Sequence, residues 1–138
     1  MLTRPKILFA LTAAGLLHPV LGHPAVAAEA SVEGAWLDQN LECSAVYVMT
    51  GKGAKFRQPV DLFAPAFIIS GKRLTTPQAS CSLKSKSAMN DRTAVQLSCA
   101  NSVSVSPVTI QLSRAAEGTL VRYMDSNDKS GSKYKLCK

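Results

Sequence analysis

Cys81 and Cys99 lie in two stretches whose alternation dictates how they pair. The first reads Gln78-Ala-Ser-Cys-Ser-Leu-Lys-Ser-Lys86 and the second Thr93-Ala-Val-Gln-Leu-Ser-Cys-Ala100, with a polar turn over Ser87–Arg92 between them. Folded as an antiparallel hairpin centred on Asn90, the segment sets Cys81 opposite Cys99 and Leu83 opposite Leu97. Ser82, Lys84, Gln96 and Ser98 then face the other way. A one-residue slip would move every side chain to the wrong face and part the two thiols, so one register meets both demands. The prediction is a β-hairpin braced by a disulfide, in a protein that matures outside the reducing cytosol.

The start of the chain points to the same compartment. Arg4 and Lys6 precede an apolar run from Ile7 to Leu17, which is shorter than the ~20 residues of a membrane-spanning helix. His18-Pro19 through His23-Pro24 breaks that run, and Ala25-Val26-Ala27-Ala28 supplies small residues suited to signal peptidase. Residues 1–28 therefore read as a secretory signal cleaved after Ala27 or Ala28, leaving residues 29–138 as a single domain. A retained membrane anchor is the competing reading. Periplasmic or secreted bacterial localisation follows, with no transmembrane segment in the mature chain.

Cleavage changes the chemistry on offer. Losing Arg4 and Lys6 lowers the formal charge from +7 to +5, and both histidines, His18 and His23, leave with the signal. Without imidazole, Ser–His and Cys–His nucleophilic catalysis and histidine general-base chemistry are excluded. All four cysteines stay. Their spacing contains neither a Cys-x-x-Cys redox pair nor a closely spaced zinc knuckle. Two structural disulfides are expected: Cys81–Cys99 and, by remainder, Cys43–Cys137. The second conflicts with local alternation, because Cys137 shares a face with Lys133 and Lys135 while Tyr134 and Leu136 take the other.

Short apolar runs separated by turn residues continue along the chain, and no stretch shows a long helical period. Ser31–Leu37 reads as a first strand, with Trp36 as a core plug and Gly34 allowing close backbone approach. Ala45–Thr50 reads as a second strand, ending at a solvated turn over Gly51–Lys55. Asp61–Pro65 reads as an irregular crossing. Phe67–Ser70 returns through Gly71-Lys72 as Arg73–Thr76. After the braced hairpin, Val103 and Val105 suggest an edge strand that stops at Pro107, followed by Val108, Ile110 and Leu112 on one face of the next strand. Leu120–Met124 is apolar on both faces. Asp125–Ser132 is an oxygen-rich loop, but Lys129 and a misplaced Gly131 break the EF-hand pattern. The sum is an all-β domain of about eight strands, a small antiparallel barrel first and a two-sheet sandwich second.

Gly34-x-Trp36 in the first strand, followed by Cys43 and hairpin-linked strands over residues 31–138, resembles the small exported bacterial lipocalin-like barrels. Inhibitors of secreted metalloproteases belong to that group. The resemblance implies an eight-stranded lipocalin-like barrel, and four cysteines depart from the single disulfide usual among the inhibitors. No binding residue carries over.

The expected function is a non-enzymatic binding module, with inhibition of a hydrolase or protease as the leading role. Neither a catalytic site, a metal nor a cofactor is expected. A carrier of a small apolar ligand is the alternative; it requires an internal cavity, whereas the few aromatics are expected to form a filled core, with Trp36, Leu83 and Leu97 among its members. A structural envelope protein is the third reading. Lys52, Lys55, Arg57, Lys72, Arg73, Lys84 and Lys86 form a candidate surface for an anionic envelope component or a protein partner, with Lys84 and Lys86 on one outer strand face. Nucleic acid is not expected, since aromatics do not interleave with these charges.

Overall fold

The structure is a computed structural model that describes residues 31–116 and 118–138. The secretory segment assigned to residues 1–28 lies outside the described residues.

The described elements are β1 (Gly34–Asp38), α1 (Cys43–Val46), β2 (Tyr47–Thr50), β3 (Gly53–Phe56), β4 (Ala66–Ser70), β5 (Arg73–Thr75), β6 (Ser80–Met89), β7 (Arg92–Ala100), β8 (Val105–Arg114), β9 (Thr119–Tyr123) and β10 (Ser132–Cys137). Eight strands close into an antiparallel barrel in the order β1-β10-β9-β8-β7-β6-β5-β4, with β4 paired back to β1. The fold is all-β with two disulfides, Cys43–Cys137 and Cys81–Cys99. The barrel forms, and the sandwich does not.

The braced hairpin takes the register that alternation demands, with Cys81 opposite Cys99 and Leu83 opposite Leu97. It is longer than the polar composition of Ser87–Arg92 suggests. Both strands run on to a two-residue turn, Asn90-Asp91, where Asn90 adopts the left-handed conformation that asparagine tolerates (φ 47°).

Three other elements differ from expectation. The segment Ala45–Thr50 is not a barrel strand. Its first two residues, Ala45 and Val46, are the end of the single turn α1, and β2 pairs only with β3 in a separate two-stranded flap. This flap lies on the outside of the barrel, where Tyr47 packs with Ala35, Leu37, Ala64, Ala66 and Cys137. Second, β8 does not stop at Pro107 but runs through it, opposite Ser98. Along β8, only Gln111–Arg114 pairs with β9, so the part of β8 that holds Pro107 has a free side where a missing N–H breaks no ladder. Third, Cys137 reaches Cys43 with no bend in β10. It does face outward with the lysines, but the flap covers that part of the outer wall and brings Cys43 to a Cα–Cα distance of 5.7 Å.

The flap explains why β1 is apolar on both faces. Trp36 points into the barrel with Phe67, Leu120 and Tyr134, while Ala35 and Leu37 point out into the second core. Trp36 is fully buried, and its indole N–H donates to the Val32 carbonyl at 2.8 Å. Gly34 has a positive φ of 127°, and a Cβ there would collide with the Leu136 side chain. Close approach at Gly34 is thus what lets the first and last barrel strands pack together.

Candidate functional site

Barrel width depends on strand number and on stagger. Following the registers once around this barrel returns to β8 displaced by about a dozen residues. Strands so strongly staggered are steeply tilted, and eight of them enclose more space than eight upright ones. The large side chains do not fill it. Trp36, Phe67 and Tyr134 gather in one part of the interior, with the Phe67 and Tyr134 rings 5.0 Å apart. The rest of the wall carries medium aliphatic side chains.

The result is a cavity of about 650 Å³ that opens at one end of the barrel. Ile69, Leu74, Leu83, Val95, Leu97, Ile110, Leu112 and Leu120 line it, and neither Trp36 nor the Cys81–Cys99 bridge does. A filled core was the expectation from aromatic content. The interior is hollow because stagger sets its volume and because the aromatics are concentrated rather than spread. The size is that of a pocket for one small molecule.

The mouth carries the charge. Lys72, Arg73, Lys86, Arg92 and Arg114 border the cavity, against Glu33 and Asp91. Two of these cations are engaged on the outer wall. Arg73 donates to Ser80 Oγ at 3.3 Å. Arg92 stacks its guanidinium 3.5 Å from the Tyr123 ring centroid and donates to Gln111 Oε1 and to the carbonyls of Asp125 and Asp128. Asp91 lies 3.8 Å from Arg92, and Glu33 Oε1 accepts the Gly71 N–H at 2.8 Å.

Six of the seven basic residues proposed from sequence divide between two places, and Lys84 lies at neither. Lys52 and Lys55 are exposed on the β2–β3 flap, and Arg57 beside them donates to the Ser44 carbonyl. Lys72 and Arg73 lie at the β4–β5 turn by the mouth. Lys84 and Lys86 do not share a face. A β-bulge between Leu83 and Ser85 makes Lys84 an extra residue, after which Lys86 pairs with Val95, a buried member of the interior core. Of the other proposed positions, Trp36 and Leu97 are buried, and Leu83 packs half-buried against them.

Arg114 and the wall residues Ile69, Leu74, Val95 and Leu120 are not among the sequence-derived candidates, whereas the wall residues Leu83 and Leu97 are. The signal for Arg114 is present: it continues the Ile110, Leu112 face by two residues. For the cavity itself, no local pattern distinguishes a wall residue from a core residue.

Among the described residues no Asp, Glu, Lys, Arg, Asn, Gln, Ser or Thr side chain is buried, all four cysteines are bridged, and no group of three or more His, Cys, Asp or Glu stands together as a metal site. Asp125 and Asp128, the oxygen-rich loop's acids, accept backbone N–H groups of that loop. What the arrangement offers chemically is a hydrocarbon-lined cup beneath a polar rim. Comparisons of the chain with protein-family models, with characterised protein sequences and with solved structures returned no match.

Proposed function

We propose that this protein is an exported, non-enzymatic binding module that holds one small apolar molecule inside its barrel. The observation that carries this reading is the open cavity of about 650 Å³ walled by Ile69, Leu83, Val95, Ile110 and Leu112. An apolar concavity of that size with polar groups only at its rim suits binding rather than bond-making. Two disulfides, a leader-like first 28 residues and the resemblance to small exported barrels support export. Hydrolase inhibition and adhesion to anionic envelope components find no comparably specific feature, since the basic residues behind them are split between the flap, the mouth and, for Lys84, the outer face of β6.

The test is titration of the purified protein with the neutral fluorophore N-phenyl-1-naphthylamine. Saturable binding at one equivalent is expected, and Leu83→Trp or Ile69→Trp, which extend half-buried wall residues into the cavity, should weaken it at least severalfold. Absence of saturable binding, or binding indifferent to both substitutions, would sink the reading.

A further inference from the structure

An irregularity in β6 aims a cation over the cavity. If the register of Cys81–Cys99 and Leu83–Leu97 continued unchanged, Lys86 would lie opposite Ala94 and point outward with Lys84. The bulge at Lys84 pairs it with Val95 instead, and cross-strand partners point to the same side of a sheet. Val95 faces the barrel interior, so Lys86 stands over the cup. Arg114 reaches the same opening from β8, by alternation from the buried Ile110 and Leu112. Its guanidinium lies 5.5 Å from the Trp36 ring centroid and donates to the Ser31 carbonyl, which holds it at the rim. Lys72 borders the same opening from the β4–β5 turn.

These charges are not cancelled locally. Among the described residues the one ion pair is Asp91–Arg92, and the remaining rim acid, Glu33, is bonded to the Gly71 amide. Cations at the lip of a low-dielectric cup focus their field on whatever lies across the opening. Resting on the cavity reading above, we infer that the ligand is an anionic amphiphile. Its apolar body sits among the wall aliphatics, and a carboxylate at the mouth is received by Lys86 and Arg114. A carboxylate matches the guanidinium fork and gains charge-assisted hydrogen bonds from both cations.

Three twelve-carbon probes separate head from tail: dodecanoate, dodecan-1-ol and dodecyltrimethylammonium, each below its micelle concentration. Their affinities are read by displacement of N-phenyl-1-naphthylamine and by calorimetry. Dodecanoate should bind about tenfold or more tighter than the alcohol, the equivalent of one charge-assisted hydrogen bond, and the cation should bind weakest. Lys86→Gln and Arg114→Gln, both at exposed positions, should bring dodecanoate down toward the alcohol. Lys52→Gln on the flap removes the same charge and should leave the preference intact, which excludes a mere effect of net charge. Equal affinity for dodecanoate and dodecanol, or a preference that survives loss of both mouth cations, would overturn the head-group inference and leave the cavity reading standing. No binding by any of the three would overturn both.

Discussion

The Tyr47 hydroxyl donates to the Trp36 carbonyl across 2.7 Å, and the Phe67 carbonyl lies 3.1 Å from the same oxygen. One phenol on the flap thereby bridges two neighbouring barrel strands, β1 and β4, from outside. The ring is buried against Ala35, Leu37 and Ala66 and stacks on Phe56 at 5.3 Å.

Tyr47→Phe keeps the ring and removes the bridge, leaving buried carbonyl oxygens short of a donor. The expected cost is about 1–3 kcal/mol in the urea midpoint at unchanged m-value. Burial also pushes this phenol well above its ordinary value of 10.0, only partly offset by the Phe67 backbone bond. Because the folded value is raised, the stabilisation is complete below pH 10 and declines as pH rises beyond it. Spectrophotometric titration should find one tyrosine that ionises only as the fold is lost, and that tyrosine should be missing in Tyr47→Phe.

The two disulfides should fail differently. Cys43–Cys137 closes a separation of 94 residues and Cys81–Cys99 one of 18. In the loop-entropy picture, their removal as alanine pairs costs about 4–5 and about 3 kcal/mol. Loss of the first should also free the flap, so that amides of Cys43–Phe56 exchange rapidly while those of β6 and β7 stay protected. Equal protection of the flap with and without this bridge would show that side-chain packing alone holds it.

Arg92 ties three elements together: Tyr123 on β9, Gln111 on β8 and the loop carbonyls of Asp125 and Asp128. Arg92→Ala should cost about 2 kcal/mol and raise hydrogen exchange across residues 124–131. Arg92→Lys should not restore it, since an ammonium cannot both stack on the ring and reach three separate acceptors.

Asp128 organises the same loop from within. Its carboxylate accepts the N–H groups of Met124, Gly131 and Ser130, bonds that lower its pKa from the ordinary 3.8. A lowered folded value means that the stabilisation is full above pH 3.8 and is lost as pH falls through the folded value. Amide shifts of Met124 and Gly131 should therefore hold steady down to pH 3.8 and move only below it. Asp128→Asn should shift both amides at every pH.

The hairpin register, the barrel and the Cys81–Cys99 bridge are legible in the chain because period-two alternation acts on pairs of strands at once, whereas Cys43–Cys137 follows only by remainder and against the alternation of β10. Cys81 and Leu83 agree with Leu97 and Cys99, and no other register serves both. The flap is not legible: Ala45–Thr50 alternates like any strand, and nothing local says whether it joins the barrel or doubles back over it. Its apolar partners, Ala35 and Leu37, are visible only as a β1 run without polar positions. The mouth is half legible. Arg114 follows from simple alternation, but the orientation of Lys86 depends on a bulge, and Leu83-Lys84-Ser85 reads as well without one. The cavity is a property of stagger, which belongs to the closed ring of registers and to no single segment.

The order of the barrel strands has a consequence for when it can assemble. β10 lies between β1 and β9, so the ring shuts only when the last barrel strand in chain order finds the first. Until Ser132–Cys137 is available, β1 and β9 present open edges and Cys43 has no partner. Such contacts between distant parts of a chain favour slow folding that completes late. Under the export proposed above, that delay would keep the chain threadable: an emerging segment cannot seal a barrel that lacks its closing stave.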